Sequence, residues 1–160
     1  MESRRMSVRV RGAMIACVVA LLWSGASVAN ISIYWDQNRW ERSLADTCAS
    51  GRFEIVMLDY LSDFGNGQML VLNLADHCYP PSGGCKPLSA DIESYQSNDV
   101  KVFLSIGGWP DFSNNSLSFT EDAQNLTNYL WENFLGGQSD SRPLGDAVLD
   151  DIDFDIRRMM

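Results

Sequence analysis

From Asp151 to Arg157 charged and apolar residues alternate without a break, so a strand here sends Asp151, Asp153, Asp155 and Arg157 to one face and Ile152, Phe154 and Ile156 to the other. Same-face neighbours on a strand stand about 6.6 Å apart, close enough for carboxylates to perturb one another and for Arg157 to pair with Asp155. Apolar runs and helical periodicity upstream predict a strand at Ile31–Trp35, a helix at Trp40–Ala49, a strand at Glu54–Leu61 and a helix at Ala90–Ser97. A strand at Val100–Ile106, a long helix at Thr120–Phe134 and a last strand at Ala147–Ile156 complete the series. Strands alternating with helices predict an α/β fold of parallel βα units, with chemistry expected at the carboxyl ends of the strands.

The acidic ladder invites a calcium-loop reading, since Asp at alternate positions begins that motif. Its sixth position needs Gly and holds Ile156, which excludes it. No other metal-ligand spacing occurs, no cofactor is implied, and His77, the single histidine, reads as structural.

Residues 1–29 carry Arg4, Arg5, Arg9 and Arg11 ahead of an apolar run at Ala13–Trp23 and a small-residue stretch at Ala26–Ala29. This is the pattern of a secretory signal peptide cleaved after Ala29, leaving one domain at 30–160; the run is too short to span a bilayer. Removing four Arg and Glu2 leaves 131 residues with a formal charge of −12. So acidic a chain has no general affinity for nucleic acid, and no membrane segment follows.

Three cysteines remain after cleavage. Cys78 and Cys85 flank the turn sequence YPPSGG, which predicts a disulfide between them and leaves Cys48 as a buried thiol or a partner for another molecule. Asn114-Asn115-Ser116 and Asn125-Leu126-Thr127 both fit the acceptor pattern for N-glycosylation, Asn114 in the more polar context.

Several segments, taken in order, carry a resemblance. They are Ile33-Tyr34-Trp35 with Gln37-Asn38, Phe64-Gly65-Asn66-Gly67, Asn73-Leu74-Ala75 with His77-Cys78, Gly83-Gly84-Cys85, Ser105-Ile106-Gly107-Gly108, the run from Tyr129 to Asp150, and Asp153-Phe154-Asp155. Together they resemble the class III plant chitinases of glycoside hydrolase family 18. The resemblance implies a (βα) barrel of the TIM type, of which this chain would supply the first half, about four βα units. It implies a secreted protein that meets chitin or N-acetylglucosamine oligosaccharides. The implied chemistry is retaining, substrate-assisted cleavage, an exception to the two-carboxylate scheme. In it the sugar's acetamido oxygen attacks the anomeric carbon, Asp155 orients and stabilises the cation, and Asp153 tunes Asp155. Tyr34, Gln37 and Asn73 would contact sugar.

The sequence departs from that pattern at informative places. The Glu expected two residues after Asp155, which protonates the leaving oxygen, is Arg157. A guanidinium keeps its protons far above neutral pH and cannot fill a role worth roughly 10² to 10⁴ in rate. Asp36 and Asp151 stand where the family has Gly, and Asp59-Tyr60 replace an Ala-Phe pair. Tyr95 takes the place of the cysteine that would bridge to Cys48, a loss worth about 2 to 5 kcal/mol. The expectation is a chitinase-like protein weakly active or inactive as written; the other reading is a non-catalytic carbohydrate-binding protein or an inhibitor of another glycosidase such as xylanase.

Overall fold

A computed structural model describes residues 31–108 and 115–156. Residues 1–29, Asn114 and Arg157 lie outside the described residues, and with them the predicted signal peptide, the first predicted glycosylation site and the predicted Arg157–Asp155 pair.

Two strands with uninterrupted apolar character form the centre. β2 (Ile55–Asp63) and β4 (Lys101–Gly107) pair in parallel, with Val56, Leu58, Val102 and Leu104 fully buried. Residues so rich in Val, Leu and Ile suit a sheet covered on its faces rather than one open to water. β1 (Ser32–Trp35) pairs in parallel with β2, and β5 (Asp151–Asp155) in parallel with β4, giving the order β1-β2-β4-β5. The fold is thus mixed α/β with a mainly parallel sheet, as the alternation predicts.

A short strand, β3 (Val71–Leu72), pairs antiparallel with β2 and lies outside that alternation. Two residues are too few to show a period of two, so this strand leaves no signal in the sequence. The last strand also begins later than predicted. Ala147 and Leu149 are buried and Val148 is exposed, which imitates strand alternation. Asp150 instead binds the start of β4: its amide donates to Val102 O at 2.9 Å, and its Oδ2 accepts from Val102 N at 2.9 Å.

The helices are α1 (Leu44–Ala49), α2 (Leu88–Ser97) and α3 (Thr120–Phe134), the last with the predicted bounds. α1 starts four residues later than predicted because Ser43 caps it, accepting from Asp46 N at 3.1 Å. Leu44, Ile92, Tyr95, Leu126, Leu130 and Phe134 join the strand residues in one core. Beyond α3, Arg142 donates to the carbonyls of Leu135, Gly137 and Ala147, at 3.2, 2.9 and 2.7 Å. One guanidinium therefore satisfies helix-end and loop carbonyls together and fixes the path into β5. Among the described residues, no helix is long and apolar enough to cross a membrane.

The predicted disulfide is present between Cys78 and Cys85, with Cα atoms 5.1 Å apart. Pro80–Ser82 make a 3-10 turn and Gly83 adopts φ 73°, which closes the loop. Cys48 is free but half-buried rather than buried. Tyr95 is fully buried and its hydroxyl donates to Leu44 O at 2.8 Å, so α2 is clasped to α1 by a hydrogen bond.

Candidate functional site

Strand register decides which side chains share a face. Tyr34 pairs with Met57, Met57 with Phe103 and Phe103 with Asp151; two residues on, Asp59 pairs with Ser105 and Ser105 with Asp153. In-register residues of parallel strands point the same way, so Tyr34, Asp59, Ser105 and Asp153 occupy the face opposite Trp35, Leu58 and Leu104. That second face is the one packed into the core. A bulge at Tyr60 restores Leu61 and Ile106 to it.

The carboxylate of Asp153 is held in place on this polar face by two side chains. Its Oδ2 accepts from Tyr34 Oη at 3.1 Å and from Ser105 Oγ at 2.9 Å, and Ser105 is fully buried. Burial, the hydrogen bond to Asp153, and the charges of Asp153, Asp155 and Asp59 push the Tyr34 phenol up to about 12. Tyr34 therefore stays a donor across the neutral range. Gln37 Nε2 donates to Asp59 Oδ2 at 3.4 Å from the loop after β1.

Asp155 ends β5 opposite Gly107. Gly107 has φ 105°, and a Cβ built there would lie 2.4 Å from the Asp155 carbonyl oxygen. Gly108 N donates to that same oxygen at 2.8 Å. Only glycine lets β4 approach β5 this closely, and the approach sets where the Asp155 backbone sits.

Of the residues singled out from sequence, Tyr34 and Asp153 touch, Asp155 follows on the same strand, and Gln37 reaches the same face through Asp59. Asn73 lies beside β2, its backbone paired with that of Tyr60 at 2.9 and 3.0 Å. Its Oδ1 accepts from Ala75 N at 3.1 Å, stabilising its own turn, and among the described residues no hydrogen bond links it to Tyr34 or Asp153. Trp35, by contrast with Tyr34, is core, with its indole donating to Arg42 O at 2.9 Å. Ser105 is not among the site residues that the resemblance implies; its place on β4 two residues before Gly107 is the signal that the sequence carries. Asn125 is exposed on α3, as a glycosylation acceptor requires.

No family model matches the chain. An acidic endochitinase from Cucumis sativus is 52% identical over 139 residues, covering 87% of this chain and 47% of that protein. The chain is related to the plant endochitinases. Among solved structures, the ICChI chitinase from Ipomoea carnea matches this endochitinase-like chain with a TM-score of 0.76 at 46% identity, covering 82% of this chain and 47% of that one. The xylanase and α-amylase inhibitor protein XAIP-II from Scadoxus multiflorus matches with a TM-score of 0.71 at 43% identity, covering 81% and 45%. The endochitinase-like chain thus spans about half the length of the relatives it matches. The resemblance to class III chitinases of glycoside hydrolase family 18 agrees with these relatives.

Proposed function

We propose that this chain is a secreted chitinase-like protein that binds β-1,4-linked N-acetylglucosamine oligosaccharides and hydrolyses them weakly or not at all. The observation that carries this reading is the fixing of Asp153 by Tyr34 and Ser105 on a face that Asp155 adjoins, with an arginine following at position 157. The oriented carboxylates suit the acetamido group and the cationic centre of a bound sugar. The arginine leaves the leaving oxygen without a proton donor. Tyr34 and Gln37 supply polar contacts beside those acids.

The sheet fits the first part of a (βα) barrel. A flat sheet would hold β1 and β5 about 14 Å apart across three strand spacings, so a Tyr34–Asp153 hydrogen bond requires the sheet to curl toward its polar face. On this reading the domain is residues 30–160, and residues 1–29 are a leader directing it to the extracellular space.

The test is the purified protein titrated with N-acetylglucosamine oligosaccharides by calorimetry and assayed for their hydrolysis, beside Arg157→Glu. Both forms should bind, and the variant should hydrolyse at least a hundredfold faster. Absence of binding in both overturns the proposal.

The likeness to XAIP-II favours one second reading, a non-catalytic inhibitor of another glycosidase. Dose-dependent loss of xylanase activity on adding the protein, with no oligosaccharide binding, would establish it.

A further inference from the structure

The loop after β1 and the loop that follows β3 meet around the buried carboxylate of Asp36. Asp36 is 1% exposed, and neither of its oxygens has a hydrogen-bond partner among the described residues. Buried carboxylates are normally satisfied, because their desolvation is otherwise uncompensated. Its backbone is strained as well, at φ 84° in the left-handed region. A strained and unsatisfied acid needs a partner that the surrounding side chains supply only in part.

What surrounds it is a set of metal-binding atoms. His77 Nε2 lies 3.5 Å from Asp36 Oδ1 and 3.8 Å from Glu41 Oε1, and the three ligand atoms all lie within 4.8 Å of one another. Tetrahedral coordination at bonds near 2.1 Å would place ligands about 3.4 Å apart, so modest side-chain rotation closes the set. The Asn38 carbonyl oxygen is 3.1 Å from the same imidazole nitrogen, a further oxygen at the edge of the cluster. The Trp35 ring packs against His77 with centroids 4.7 Å apart, limiting how the imidazole turns. The Glu41 and His77 side chains remain 23% and 15% exposed, which leaves an entry path.

We propose that Asp36, Glu41 and His77 form a site for a divalent zinc ion. One imidazole with two carboxylates suits zinc and neighbouring first-row metals, whereas calcium and magnesium favour oxygen-only sets. Coordination uses the lone pair of Nε2, so the ring proton then resides on Nδ1 and the contact with Asn38 O is no longer a hydrogen bond. The ion would tie the loop bearing Gln37 to the loop closed by Cys78–Cys85. The residues are separated by 5 and 36 positions, which conforms to no sequence motif.

The experiment uses the full chain carrying Cys48→Ser, which removes the free thiol as a competing ligand. After treatment with EDTA and desalting, zinc is titrated against a chromophoric chelator, and melting is followed with zinc, calcium or magnesium added. One equivalent of zinc should bind and raise the melting temperature, with calcium and magnesium giving no shift. Asp36→Gly, which also relieves the positive φ, and His77→Asn should each weaken zinc binding at least a hundredfold with unchanged far-ultraviolet circular dichroism. If either variant fails to fold, the other decides. No stoichiometric binding, or binding undiminished in the folded variants, overturns the site and leaves His77 beside two acids with no metal between them.

Discussion

Tyr34 and Asp153 meet at 3.1 Å although two strands separate β1 from β5. Tyr34→Phe keeps the ring and removes only the donor. On the proposed function it should weaken oligosaccharide binding about tenfold, which corresponds to about 1.4 kcal/mol, close to the low end for a hydrogen bond to a charged group. Calorimetry on the variant measures this directly, and an unchanged affinity would separate Asp153 from sugar binding.

Stability should fall in acid through Asp150. Burial alone would raise its carboxyl, but hydrogen bonds from Lys101 Nζ, Val102 N and Gln96, with the Lys101 charge, together hold it below its usual value. A depressed folded-state value adds stability that is complete above the unfolded value of about 3.9 and disappears as pH falls through the lower folded one. Asp150→Asn should therefore lower the urea midpoint at pH 7, and the gap between variant and parent should narrow as pH drops below about 4.

Gly107→Ala should be among the most damaging single changes in the sheet. The added Cβ meets a backbone oxygen rather than a flexible side chain, and φ 105° disfavours any L residue. A loss of roughly 3 kcal/mol is expected from combined overpacking and backbone strain, read as a lower urea midpoint.

Tyr95→Phe should cost about 1 to 2 kcal/mol, because it strips the Leu44 carbonyl of its buried partner while leaving the ring in place. Thermal melting at neutral pH is sufficient to measure it.

What could be read from the sequence was what repeats along it. The apolar period of Thr120–Phe134 gives α3, and the runs within β2 and β4 give the centre of the sheet. Ala147 and Leu149 misplace the start of β5 because burial in a loop can copy the alternation of a strand. Tyr34 and Asp153 are each legible as candidates, but their contact is not, since it depends on curvature accumulated over four strands. The cluster at Asp36 is illegible for a further reason: its members come from segments with no shared period, joined only by loop geometry.

The replacement of a cysteine by Tyr95, which the family resemblance implies, changes more than the strength of the clasp between α1 and α2. A covalent bridge has to be made by an oxidant and is undone by a reductant, whereas the Tyr95–Leu44 bond forms with the fold itself and responds only to what unfolds it. The Tyr95–Leu44 tie between these two helices is therefore indifferent to reducing agents, and of the cross-ties described only Cys78–Cys85 answers to one.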